Sequence, residues 1–141
     1  MRILAPLFVT ASLTVLLAAC GESTAPTASN APVATAPSFN PNIALQVTAW
    51  GPQEAKLGAE LPNKQPDGNV GIWIKVNSTE GLGDAQVLFG GQPAEKVAFA
   101  PDLVTAAVPA AWFASAGDKE IVIKQVGSQK TFAVGVFKIQ P

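Results

Sequence analysis

From Ile43 to Pro141, apolar residues recur at every second position in short runs separated by clusters of Gly, Pro, Asn and Asp. Side chains alternate faces along a strand, so a two-residue period marks half-buried β-strands; no long 3.6-residue period interrupts it. The pattern predicts seven strands, roughly 44–50, 70–77, 85–89, 95–99, 103–109, 119–126 and 131–139. Gly51-Pro52, Pro66-Asp67-Gly68-Asn69, Gly81-Leu82-Gly83-Asp84, Gly90-Gly91 and Gly127-Ser128 supply the turns, through positive φ or a fixed φ. An all-β, immunoglobulin-like β-sandwich over residues 43–141 fits this size and spacing. The long segment 53–69 carries no strand pattern, so its path stays open.

The same alternation assigns faces. In Val70-Gly71-Ile72-Trp73-Ile74-Lys75-Val76, the four aliphatic residues share one side and Trp73 and Lys75 the other, so Trp73 is expected to face outward. Counting from Ile43, Leu45 and Val47 leaves Trp50 with Gln46 and Thr48, also outside the core parity. Exposed aromatics on a sheet stack on sugar rings or anchor a protein partner; alternatively, the 53–69 loop folds over both as a satellite cluster. Trp73, Trp50 and Lys75 are therefore the candidate contacts. Trp112 and Phe113, just after a strand end, are expected to plug one end of the sandwich.

Ahead of this domain the pattern changes twice. Met1 and Arg2 precede a nearly unbroken apolar run from Ile3 to Ala19, with Thr10, Ser12 and Thr14 its only polar members. The run is short of the roughly 20 residues that span a bilayer comfortably, and Pro6 interrupts it, so residues 1–19 are expected to be a secretory signal. After Cys20 and Gly21, residues up to Asn42 are mostly Thr, Ala, Pro, Ser and Asn, with Glu22 the single charge and almost nothing large before Phe39; residues 20–42 thus form one segment. Such a stretch cannot build a core and is expected to be a flexible, extended linker.

The join between these two segments, Leu17-Ala18-Ala19-Cys20-Gly21, resembles the lipobox of bacterial lipoproteins. The resemblance implies cleavage before Cys20 and acylation of that cysteine on its sulfur and its amine, which would moor the chain to a lipid bilayer. Multiple acyl chains make a durable anchor, at about 0.8 kcal/mol per buried methylene. Gly21, standing where diderm lipoproteins retained at the inner membrane carry Asp, implies export to the outer membrane.

A second resemblance lies in the sandwich. Val87-Leu88-Phe89-Gly90-Gly91-Gln92-Pro93-Ala94, then Val104 to Pro109 and the hairpin from Gly117 through Ile121-Val122-Ile123 to Ile139, resemble the immunoglobulin-like, plexin and transcription-factor (IPT/TIG) domain. The first half lacks that family's Gly-rich opening. What the resemblance implies is a module for adhesion, spacing or interaction, sometimes for carbohydrate recognition beside glycosidase domains.

Composition narrows the chemistry. In 141 residues there is no His, no Tyr and one Cys, with a net charge of −1, which removes imidazole acid–base chemistry, His-containing metal sites and an internal disulfide. Arg2 is the only arginine, and the lysines are scattered singly, so the clustered cations that nucleic-acid binding needs are missing. Asp67, Glu80, Asp84, Asp102 and Asp118 fall at turns without calcium-loop spacing. Glu54 and Glu60 are read as solvated loop charges, and Gly81-Leu82-Gly83 lacks the third glycine of a nucleotide loop. The sequence thus leads to a membrane-anchored envelope lipoprotein, not an enzyme and without a metal or small-molecule cofactor. Its domain acts either as a binding, scaffold or adhesion module for an envelope protein or polysaccharide, or as a carbohydrate-binding module using the outward tryptophans.

Overall fold

A computed structural model describes residues 38–141. Nine strands form: β1 (Val47–Gly51), β2 (Glu54–Lys56), β3 (Val70–Val76), β4 (Gln86–Phe89), β5 (Gln92–Pro93), β6 (Lys96–Ala100), β7 (Leu103–Val108), β8 (Gly117–Lys124) and β9 (Thr131–Gln140). One sheet runs β1-β3-β7-β6 and the other β2-β9-β8-β4-β5. Lettering the first A-B-E-D and the second A′-G-F-C-C′ gives the immunoglobulin strand order, so the domain is an immunoglobulin-like β-sandwich. β2 is the only parallel partner among the described strands, lying along β9.

All seven strands read from the alternation are present with small shifts at their ends. The two additions are short. β2 falls in the segment that showed no pattern, and its pairing depends on β9, more than 80 residues away, with Glu54 facing Lys138. β5 is the far arm of the Gly90-Gly91 hairpin, where φ values of 57° and 83° give the left-handed pair that a two-residue turn requires.

The core lies between the sheets. Ile72, Ile74, Val104 and Val108 from the first sheet meet Val87, Phe89, Ile121, Ile123 and Phe137 from the second, all essentially inaccessible. β3 shows why: its even-numbered residues are buried, while Trp73 and Lys75 are exposed. One end is closed by an aromatic cluster in which Phe113, on a 3-10 turn over Ala110–Phe113, lies 5.0 Å from Phe89 and 5.3 Å from Phe137 between ring centroids. Trp112 stacks on the outer side of Phe89 at 6.4 Å, so the end-plug expectation is met.

At the opposite end the domain starts earlier than the alternation indicated. Residues 38–42, assigned from composition to the linker, include a strand-like bridge between Phe39 and Leu82. Asn40 N–H donates to the Gly81 carbonyl at 2.8 Å. The fully buried Gln125 ties the segment down: its Nε2 donates to the carbonyls of both Asn40 (2.9 Å) and Gly81 (2.8 Å). Lys130 Nζ donates to the Ile43 carbonyl at 3.0 Å. Composition misses this attachment because the groups that hold it lie 40 to 90 residues further along the chain.

Candidate functional site

The outer face of the β1-β3-β7-β6 sheet is built in cross-strand rows. One row is Gly71, Ala107 and Lys96; the next is Gly51, Trp73, Thr105 and Ala98; the third is Ala49, Lys75, Leu103 and Ala100. Between Trp73 and Lys96 the outward side chains are therefore Thr105, Ala98 and Ala107, all small. Small side chains flanked by taller ones leave a trough, and the trough becomes a groove because the 63–67 segment stands along one side as a wall.

That wall is held by local hydrogen bonds. Gly71 N–H donates to the Asn63 carbonyl at 3.0 Å, and Asn63 Nδ2 donates back to the Gly71 carbonyl at 2.6 Å. Gln65 Nε2 donates to the carbonyl and Oδ1 of Asn63, at 3.1 and 3.2 Å. The approach depends on glycine: a Cβ at Gly71 would fall 2.7 Å from Asn63 Nδ2 and 2.8 Å from Gln65 Nε2. The tip is an Asx turn in which Asp67 Oδ1 accepts from Asn69 N–H at 3.1 Å, with Gly68 at a φ of 87°. Asn69 Nδ2 reaches Glu95 Oε2 at 2.9 Å and Lys96 Nζ reaches Asp67 Oδ2 at 3.2 Å, so the tip is fastened to the start of β6. The Asn69 backbone N–H, and then the Lys96 ammonium, hold the Asp67 carboxyl below its ordinary range.

The groove has a volume of about 530 Å³, within the range of small-ligand sites. Among the described residues, Asp67 and Lys96 are the charged ones that line it. Trp73 forms the opposite side. Its indole lies across Gly51, where a Cβ would meet Cζ2, Cε2 and Nε1 at 2.8 to 3.2 Å. The ring thus rests against backbone, and Trp73 stays 39% exposed. A flat aromatic ring, a shallow floor and a polar wall make up the groove, and its two charged residues, Asp67 and Lys96, are bonded to each other.

The candidate contacts separate. Trp73 stands at the groove, as its parity indicated. Lys75 is on the same face but one row away, paired with Leu103 and Ala49, and does not line the groove. Trp50 is the correction: it pairs with Ile74 and turns into the sandwich, against Gly135 of the facing sheet. The reason is a bulge in β1, where Val47 pairs with Val76 and Ala49 with Lys75, so Thr48 is an extra residue that reverses the inside–outside parity beyond it. The 53–69 segment does not bury Trp73; it faces the tryptophan across the groove. Cys20 and residues 1–37 lie outside the described residues. The wall and Lys96 were not singled out in the sequence. The floor had a faint signal there, the small outward residues Ala98, Thr105 and Ala107 at alternate positions in two successive strands.

Glu54 accepts a hydrogen bond from Gln140 Nε2 at 2.8 Å on the β2–β9 edge, on the other sheet from the groove. Among the described residues no helix is long and apolar enough to cross a membrane, and no three His, Cys, Asp or Glu residues cluster as metal ligands would.

Neither a family model nor a curated protein sequence matches the chain. Among solved structures, the chain is similar to an auxiliary nutrient binding protein from Bacteroides ovatus ATCC 8483, with 18% sequence identity and a TM-score of 0.40. The alignment covers 73% of this chain and 22% of that one, so the chain spans about a fifth of that protein's length.

Proposed function

We propose that this chain is a cell-envelope lipoprotein, anchored in the outer membrane through acylated Cys20, whose IPT/TIG-like sandwich is a non-catalytic binding module. The observation that carries the binding role is the groove on the β1-β3-β7-β6 face, built with an aromatic platform, a floor of small side chains and a hydrogen-bonded wall. A sandwich serving only as a spacer needs no such surface, because unoccupied outer faces of antiparallel sheets are usually covered with long polar side chains. The anchor rests on the apolar run to Ala19 and the Leu17-Ala18-Ala19-Cys20-Gly21 sequence.

The groove also lies away from the point where the N-terminal segment joins the domain. Phe39 and Asn40 pack at Gly81, Leu82 and Gln125, beyond the C-terminal end of β3, whereas Gly71 and the wall lie at the N-terminal end of that strand.

Mass spectrometry of the native protein, with fractionation of the cells that make it, tests the anchor. The expected result is a mature N-terminus at Cys20 carrying acyl chains, in the outer-membrane fraction, and release of a Cys20→Ser variant from it. An intact, unacylated N-terminus at Met1 would overturn the anchored reading.

A further inference from the structure

Resting on that reading of the groove, we infer that its occupant is a neutral glycan chain, with one pyranose ring stacked on Trp73 and neighbouring hydroxyls bonded along the wall. Three features of the groove select this chemistry over a lipid or a polyanion.

The first is the platform. The Trp73 indole is backed by Gly51 and exposed to solvent, and a pyranose has one face of C–H groups that buries well on such a ring at little cost in rotamer freedom. The other two tryptophans do not offer this: Trp50 is turned inward against Gly135, and Trp112 stacks on Phe89 and does not line the groove.

The second is the balance of polar groups. Asp67, Lys96, Gln65, Asn63 and Thr105 all line the groove. Thr105 both donates and accepts, the Lys96 ammonium has three protons of which one serves Asp67, and the carboxamides carry acceptor oxygens. Sugar hydroxyls, which also donate and accept, match this mixture, whereas an acyl chain would leave it unsatisfied.

The third is charge. The two charged lining residues are a bonded pair of opposite sign, so the groove offers an anion no net attraction. Among the described residues there is no arginine for a bidentate grip on carboxylate or phosphate. A uronic acid or phosphorylated chain would meet the Asp67 carboxylate, which stays ionised because the Asn69 N–H and Lys96 hold it so.

The test is photo-crosslinking of the full chain in the cells that make it, with Ala100→p-benzoylphenylalanine at an exposed position on the same sheet face, one row beyond the groove floor, so that the benzophenone, which captures sugar and peptide C–H bonds alike, reaches the occupant without filling the trough. The expected product is an adduct that resists protease, is shortened by periodate and carries only neutral hexose, pentose or deoxyhexose masses. Trp73→Ala should reduce its yield about tenfold or more, while Lys75→Ala, one row outside the groove, should leave it unchanged. An adduct that protease removes and periodate does not, or one dominated by uronic or phosphorylated sugars, would overturn the neutral-glycan inference and leave the binding module standing. A glycan adduct insensitive to Trp73→Ala would overturn the stacking arrangement. No adduct from a correctly folded, membrane-associated variant would overturn the groove as a binding surface, and the inference with it.

Discussion

Trp50 lies against Gly135, reaching from one sheet to the other, so closely that a Cβ at position 135 would sit 2.5 Å from its Cζ2. Gly135 pairs with Ile121 on the inward side of β9, and its missing side chain leaves the space that the indole fills. Gly135→Ala should therefore overpack the sandwich and cost about 1–3 kcal/mol, read as a lower urea midpoint with an unchanged m-value.

The two β-sheet tryptophans should behave oppositely when truncated. Trp50→Ala opens a cavity beside the core and should cost about 3 kcal/mol. Trp73→Ala removes an exposed ring and should stay within about 1 kcal/mol of the parent. Thermal unfolding of both variants decides this, and equal losses would contradict the orientation of Trp50.

Gly51→Ala probes the platform without removing it. The added methyl meets the exposed Trp73 indole rather than backbone, so the ring should swing aside and the fold should hold to within about 1 kcal/mol. The expected signature is a shifted Trp73 emission together with weaker occupancy of the groove, seen as a lower crosslink yield from Ala100→p-benzoylphenylalanine.

Gln125→Leu should loosen the start of the domain. It leaves the Asn40 and Gly81 carbonyls without their shared donor, at a cost of about 1–3 kcal/mol. Chymotrypsin cleavage after Phe39 should accelerate well before global unfolding, whereas Gln129→Leu, in the exposed turn nearby, should leave that rate unchanged.

The Asp67 carboxyl is lowered in the fold by the Asn69 N–H and by Lys96, so whatever it contributes to ordering the wall is fully present above the unfolded aspartate range. That contribution is lost as pH falls through the lowered value. Carboxyl NMR should show Asp67 protonating below the ordinary aspartate range, and Lys96→Ala should move it upward without abolishing the shift, because the backbone donor remains.

The seven longer strands and the outward face of Trp73 were legible because period-two alternation is a local property of each strand, imposed by burial of one face. β3 is the clearest case, with every even-numbered residue from Val70 to Val76 buried and Trp73 and Lys75 exposed. The reading failed at Trp50 because a single extra residue, Thr48, reverses parity, and nothing in the residue types around it announces a bulge. β2 was invisible because three residues carry almost no periodicity and its pairing depends on β9.

The groove was beyond reach for the same reason on a larger scale. Its platform, floor and wall come from β3, from β6 and β7, and from the 63–67 segment, and only the pairing register sets Trp73 beside Thr105 and Ala98. By itself the sequence determined the strand alternation, the turns, the absence of imidazole chemistry and the lipobox-like Cys20, because each is written in neighbouring residues or in composition. The tertiary structure alone decided which tryptophan is presented and what surrounds it, because cross-strand register and β-bulges arise from pairing between segments distant in the chain.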